Sequence, residues 1–221
     1  NRPAAVRRTR TEVLKHWPAG QVTAHECDVT DATALARFRS EVSEAHDCEA
    51  LHLLINNAGA VGGASFVADD PSEWERTFAV NFHGTYLATR AFLPMLLAAD
   101  QGVVVNVASV NALWASLGSG TAHTAYSTAK FAVRGFTEAL YQEMKINKHP
   151  VAVTTVHPGG IKTAIARNAT ASGDVDSGEL AKLFDKRLAN TTPERAATII
   201  LEAVRKKKAR VLVGPDAKIL D

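Results

Sequence analysis

The sequence predicts an α/β domain built as a doubly wound parallel sheet. Short apolar, β-branched runs alternate with longer stretches of helical periodicity along almost the whole chain, as expected of strands buried on both faces by crossover helices. Each apolar run is followed at once by polar or glycine residues, at Asp28-Val29, Asn57-Ala58-Gly59, Ser109 and Pro158-Gly159-Gly160. In an open parallel sheet, ligands bind beyond the carboxyl ends of the strands near a topological switch point. These segments therefore mark one edge of the sheet as the functional edge.

Composition narrows the class. The 221 residues, 46% hydrophobic and 22% charged, suit one domain over residues 1–221 with a sizeable core. Basic and acidic residues number 25 and 23, a net charge of +2, too balanced for nucleic acid to be the main partner. Cys27 and Cys48 lie outside any CxxC or Cys/His ligand spacing, so neither a disulfide framework nor a metal site is expected. No run of about 18 apolar residues suggests a transmembrane segment, and residues 1–16 are basic and helical rather than signal-like. A soluble, cytoplasmic protein with reduced thiols follows.

In chain order, Ala, Val, Leu and Arg recur at helical spacing over residues 4–16, and Pro18 with Gly20 stops the segment. Val22 to Cys27 alternates as a short strand. Asp31 then fits the N-cap of a helix from Ala32 to His46, with Leu35, Phe38 and Val42 on one face. Leu51 to Ile55 reads as a buried strand running into Asn56-Asn57-Ala58-Gly59. Residues 71–99 are helical, with Pro71 in the first turn. Val103 to Val107 is the next strand and delivers Ser109 at its end. A loop rich in small residues leads to a helix over about 124–148, and Val151 to Val156 forms a strand ended by His157-Pro158-Gly159-Gly160. Pro193 opens a helix to about Lys207, and Val211 to Val213 is a last strand.

On the helix after the small-residue loop, Tyr126 and Lys130 are four positions apart, so they share a face. An ammonium held there favours the phenolate, which makes the tyrosine a proton donor and acceptor near neutral pH. The pair reads as an acid/base device.

With Asn57-Ala58-Gly59 after one strand, Val80-Asn81-Phe82-His83-Gly84 on the next helix, Ser109 after the following strand and Tyr126 to Lys130 beyond it, the chain resembles the classical short-chain dehydrogenase/reductase family. The resemblance runs from about Val22 to the end. It implies a Rossmann-like fold, NAD or NADP as cofactor, and interconversion of an alcohol and a carbonyl compound. It also implies roles: Tyr126 as general acid/base, Lys130 lowering its pKa and holding the nicotinamide ribose, Ser109 orienting the substrate oxygen, and Asn81 supporting a water relay. Asp28 and Val29 would meet the adenine, Asn57, Ala58 and Gly59 the adenine-side ribose, and Pro158, Gly159, Ile161 and Thr163 the nicotinamide. Read locally, Asp28 is equally a helix-start cap, Asn57 a strand-end turn residue and Pro158-Gly159 a turn.

Two departures accompany the resemblance. The family's glycine-rich TGxxxGxG loop does not occur among these residues, and neither Gly62-Gly63 nor Gly118-Ser119-Gly120 lies between a strand and a helix. The expectation is that a first βαβ unit of roughly 30 or more residues is missing ahead of Asn1, and with it the residue that selects between NAD and NADP. Ser109 and Tyr126 are also 17 positions apart, more than is usual in the family, with Trp114 to His123 as the excess.

The segment 163–192 reads as a substrate lid. Its Ile165, Leu180, Leu183, Phe184 and Leu188, with Leu113, Trp114 and Leu117, point to a hydrophobic small-molecule alcohol or carbonyl substrate. The helices carrying Phe82 to Leu97 and Tyr126 to Met144 show outward apolar bulk, which in the family pairs subunits, so a homodimer or homotetramer is expected. The basic run Arg205 to Lys208 with Arg210 reads as a helix-end charge cluster complementing the dipole. Competing readings are a serine hydrolase using Ser109 or Ser127 with His123 or His157, disfavoured because GxSxG is absent, and a non-catalytic dinucleotide-sensing or scaffold protein of the same fold.

Overall fold

Four parallel strands form the sheet in the order β1-β2-β3-β4, in a computed structural model that describes residues 3–62, 65–68, 70–115, 123–163 and 191–219. The elements are α1 (Pro3–His16), α2 (Ala32–His46), β1 (Leu53–Asn56), α3 (Pro71–Phe78), a π turn (Ala79–His83), α4 (Gly84–Ala98), β2 (Gly102–Val107), a 3₁₀ turn (Val110–Ala112), α5 (Thr124–Ile146), β3 (Val151–Pro158), α6 (Pro193–Arg205), β4 (Arg210–Val213) and α7 (Pro215–Ile219). Each step along the sheet crosses over through a helix, and helices cover both faces. This is the doubly wound Rossmann-like arrangement expected from the alternating pattern.

The strand register explains the two cores. Leu53 pairs with Val103 and Leu54 with Val104, and Val103 and Val104 pair in turn with Ala152 and Val153. Alternation across the pleat therefore sends Val103, Val105, Val156, Val211 and Val213 to one face, where they meet Ala196, Ile199, Ile200 and Ala203 of α6. Val104, Val151 and Val153 go to the other face, against Leu96 of α4 and Leu140 and Met144 of α5. Val104, Val105, Val156 and Leu96 have no exposed surface, and each such side chain contributes about 1.5–3 kcal/mol of burial. Short continuous valine runs are what a sheet covered on both sides requires.

Helix starts follow their caps. Asp31 accepts from the amides of Thr33 and Ala34 at the head of α2, and Asp70 accepts from Ser72 with Pro71 at the first turn of α3. Thr192 caps α6 through the amide of Arg195.

Three expectations need correction. Val22–Cys27 forms no strand. Alternation specifies an extended backbone, but a strand exists only when another strand pairs with it. Here the segment is held instead by side chains of its neighbours: Arg10 Nε donates to Val22 O (2.8 Å), Gln21 Nε2 to Ala45 O (2.5 Å), and His25 Nδ1 meets Glu41 Oε2 at 2.8 Å. The 71–99 helix is broken by the π turn, where Gly84 N bonds back to Ala79 O. Strand β3 continues through His157 and Pro158, because Gly159 N still donates to Val213 O (2.9 Å) on β4. Of the lid expected over 163–192, residues 164–190 lie outside the described residues, as do Leu117 and Gly118-Ser119-Gly120. No helix among the described residues is long and apolar enough to cross a membrane.

Candidate active site

Strands β1, β2 and β3 are parallel and adjacent, so the segments that follow them lie along one edge of the sheet. That geometry brings together Asn57-Ala58-Gly59 after β1, Ser109 after β2 and Pro158-Gly159 at the end of β3.

Ser109 has extended backbone and heads the 3₁₀ turn, its Oγ accepting from Asn111 N at 3.1 Å. The first turns of α5 carry Tyr126 and Lys130, and Lys130 reaches the end of β2 at Val107. The extra residues between Ser109 and α5 do not separate the pair, for the Ser109 hydroxyl lies near enough to the Tyr126 phenol to lower its pKa. Lys130 is 3% exposed, donates from Nζ to Val107 O (2.9 Å), and holds its ammonium 5.5 Å from the centroid of the Tyr126 ring. Phenol, hydroxyl and ammonium thus converge.

Their electrostatics differ from expectation in one respect. Burial raises the Tyr126 pKa above its ordinary value, partly offset by the Ser109 hydroxyl, rather than leaving it lowered by the lysine. Burial also lowers Lys130 from its ordinary 10.5 to about 8. Both shifts have one cause: the protein packed around the two groups disfavours either charged form. Tyr126 is therefore held as the protonated phenol at neutral pH.

Asn81 sits in the π turn with no exposed surface, and such turns bring an interior side chain to a place a regular helix would not. Its Nδ2 donates to Ala60 O (2.7 Å) and Thr77 O (2.8 Å), tying the Asn57–Ala60 loop to the end of α3. A Cβ on Gly59 would sit 3.0 Å from Asn81 Oδ1. Gly59 thus makes room for Asn81, a reason the sequence reading did not supply. Asn57, Ala58 and Gly59 are exposed.

Val29 packs over Gly84. With Cys27, Asn56, Asn57 and Ala58 it lines a cavity of about 140 Å3, so the two segments expected at the adenine end share one pocket wall. Asp28 is exposed. Its Oδ1 accepts from Thr30 N (2.9 Å) and Thr30 Oγ1 (2.8 Å), which lowers its pKa. The helix cap is Asp31, so Asp28 is a turn residue. At the third strand end, Ile161 bridges to Thr191, and Thr163 N donates to Ile161 O at 2.8 Å.

The hydrolase geometry is not met. His157 Nδ1 bonds the backbone carbonyl of Ser109 (3.0 Å), not its hydroxyl, and Ser127 Oγ donates to Ala115 O. Among the described residues no cluster of three or more His, Cys, Asp or Glu could hold a metal ion.

The sequence reading missed a buried polar network beneath the site. Asn56 Nδ2 donates to Thr89 Oγ1 (2.9 Å) and Asn106 Oδ1 (2.8 Å), and Asn106 Nδ2 donates to Thr137 Oγ1 (3.0 Å). Thr89 Oγ1 donates to Thr85 O, and Thr85 Oγ1 to Asn81 O. The available signal was an asparagine inside each of two apolar strand runs. Asp216 on α7 was missed as well; its Oδ2 accepts from Gly160 N at 2.7 Å.

Comparison with known proteins bears on the family and the fold. The chain is 44% identical over 212 residues to the putative oxidoreductase SadH of Mycobacterium tuberculosis, covering 96% of this chain and 75% of that one. It is 32% identical over 161 residues to retinol dehydrogenase 10 of Xenopus tropicalis, covering 71% of this chain and 44% of that one. Among solved structures, a short chain dehydrogenase/reductase from Burkholderia phymatum in complex with NAD superposes with a TM-score of 0.84 at 23% identity, covering 98% of this chain and 78% of the other. A short chain dehydrogenase from Burkholderia cenocepacia in complex with NADP gives 0.70 at 28% identity, covering 90% and 74%. The model of the short chain dehydrogenase family matches residues 2–173, and with a relative at 44% identity over 96% of this chain the chain belongs to that family of oxidoreductases.

Proposed function

We propose that this chain is an NAD- or NADP-dependent oxidoreductase that interconverts a secondary alcohol and a carbonyl compound, with Tyr126 as its acid/base. The observation that carries the reading is the convergence of the Tyr126 phenol, the Ser109 hydroxyl and the Lys130 ammonium at the end of β2.

The residues present fit a dinucleotide. Lys130 is a buried ammonium with three N–H donors, and the hydrogen bond to Val107 O leaves donors to offer the hydroxyls of a ribose. Asn57, Ala58 and Gly59 present an exposed rim for the second ribose, Val29 and Asp28 flank the adenine end, and Pro158, Gly159, Ile161 and Thr163 lie on the nicotinamide side. When bound, the nicotinamide supplies or accepts the hydride.

The protein's own part is proton management. In reduction, negative charge develops on the carbonyl oxygen; Ser109 donates a hydrogen bond to it and Tyr126 donates its proton. The phenolate left behind is stabilised by the Lys130 ammonium under its ring. In oxidation the same phenolate takes the alcohol proton. Asn81 acts through backbone, holding the Asn57–Ala60 loop against α3. Trp114, 56% exposed, and Leu113 stand just past the 3₁₀ turn that follows Ser109 and favour a hydrophobic substrate. Tyr86 and Phe131, 36% and 40% exposed, put apolar surface on α4 and α5, and we infer a homodimer or homotetramer paired through those helices.

The test is Tyr126→Phe in the intact protein, which keeps the ring over Lys130 and removes only the hydroxyl. Turnover of a secondary alcohol or ketone should fall about 10²–10⁴-fold, with dinucleotide binding unchanged by fluorescence titration. Retained turnover refutes the assignment.

A further inference from the structure

We propose that Asp216 is a positioning residue: its carboxylate latches the Pro158–Thr163 turn to the segment after the last strand and so sets the nicotinamide side of the site. The inference rests on the reading of that turn as a cofactor wall.

At Gly159 and Gly160 the turn is held at three backbone points, and Lys162 N adds a contact further along, to Thr191 O (2.9 Å). Gly159 N donates to Val213 O (2.9 Å), Gly160 O accepts from Thr191 N (3.2 Å), and Gly160 N donates to Asp216 Oδ2 (2.7 Å). The first two are ladder-type contacts between main chains. The third is the only one of them made by a side chain, and it is charge-assisted, which makes it the strongest in kind. It fixes the peptide plane between Gly159 and Gly160.

The glycines around it exist for this contact. A Cβ on Gly159 would run into the Asp216 carboxylate. Gly214, at φ +105°, turns the chain from β4 into α7, and a Cβ there would sit 2.5 Å from Asp216 Oδ1. Side chains at 159 and 214 are thus excluded by one carboxylate, seated between the ends of two adjacent strands. Its Oδ1 is buried without a hydrogen-bond partner among the described residues, a desolvated acceptor retained beside the turn. The pairing couples a segment remote in sequence to the wall that follows β3.

This gives Gly159 a role different from close approach to a cofactor, and the two are separable by a double-mutant cycle. If the glycine serves the latch, Gly159→Ala weakens NADH or NADPH binding in the wild-type background but has little further effect once Asp216→Ala has removed the carboxylate. If it serves cofactor approach, Gly159→Ala costs the same in both backgrounds, and the proposal is overturned.

The experiment measures two quantities on the intact protein and on Asp216→Ala, Asp216→Asn, Gly159→Ala and the Gly159→Ala/Asp216→Ala double variant. They are hydrogen exchange of the Gly160 amide and the dissociation constants for NADH and NADPH. Asp216→Ala should lose about tenfold or more of the Gly160 amide protection and weaken the preferred dinucleotide about tenfold. Asp216→Asn, which keeps an acceptor oxygen, should restore both. Unchanged Gly160 exchange in Asp216→Ala overturns the latch whatever the cofactor does. Faster exchange with unaltered dissociation constants overturns its positioning role. Wild-type protein that binds neither dinucleotide overturns the cofactor reading instead, while the exchange result still decides the latch.

Discussion

Replacing Lys130 with Met tests the electrostatics of the site without reference to any substrate. The side chain is 3% exposed and burial lowers it from 10.5 to about 8. Below about pH 8 the ammonium is charged in both folded and unfolded chains, and the folded chain bears the whole cost of burying it. Between about 8 and 10.5 the folded chain has released its proton while the unfolded chain retains it, and above that neither is charged. The penalty is therefore present at neutral pH and relieved as pH rises. At 1.36 kcal/mol per pKa unit the fall amounts to about 3 kcal/mol at pH 7, of which about 2 kcal/mol is recovered by pH 9.5. Methionine is apolar and of similar length, so it removes the charge and little else. Urea unfolding of both proteins without dinucleotide, at pH 7 and 9.5, should show wild-type stability rising relative to Lys130→Met by about that 2 kcal/mol. Comparison with the variant cancels Tyr126, whose raised pKa keeps its own effect above pH 10. A difference that does not change with pH refutes the claim that a charged lysine is buried there.

Other outcomes follow from the same interior. Asn106→Leu strips partners from Asn56 and Thr137 and should destabilise the fold by about 1–3 kcal/mol for each polar group left unpaired, read as a fall in the urea midpoint. His157 is buried and its pKa lies below 6.5 for that reason; the unfolded chain takes up the proton first, so stability should fall as pH drops below about 6.5. His157→Asn, which keeps a donor toward Ser109 O, should lose less between pH 7.5 and 5.5. Light scattering at micromolar concentration should show a dimer or larger, and a strict monomer would refute the pairing inferred from Tyr86 and Phe131.

Much of the architecture was legible because buried parallel strands leave a simple trace. The runs around Leu53 and Val104 are apolar on both faces, and they form strands within one or two residues of the expected bounds. Asp31 and Pro71 mark helix starts through chemistry confined to a few residues, which a sequence displays directly. What failed was what depends on a neighbour. Val22–Cys27 has the alternation of a strand but pairs with none. The π turn at Ala79–His83 leaves no mark in composition, since it is one backbone bond displaced by a residue. In the site, the Tyr126/Lys130 spacing foretold a shared face, and Ser109 reaches Tyr126 despite the long connection. The direction of the Tyr126 shift was not legible, because spacing conveys adjacency and not desolvation. Asp216 was invisible for a similar reason: its partner, Gly160, is 56 positions away.

The asparagine network beneath the site bears on where protons can travel. A relay passes a proton only through groups able to donate and accept at the same atom, as hydroxyls and water do; an amide nitrogen only donates. Asn56 directs its amide N–H bonds outward to Thr89 and Asn106, and both branches end on backbone carbonyls, through Thr89 at Thr85 O and through Thr137 at Val133 O. The orientation of every member is fixed, and no second proton order is open to it. Toward the core, then, the network is an insulator. Under the proposed acid/base role of Tyr126, these hydrogen bonds give its proton no inward path, and exchange is directed to the open side of the site.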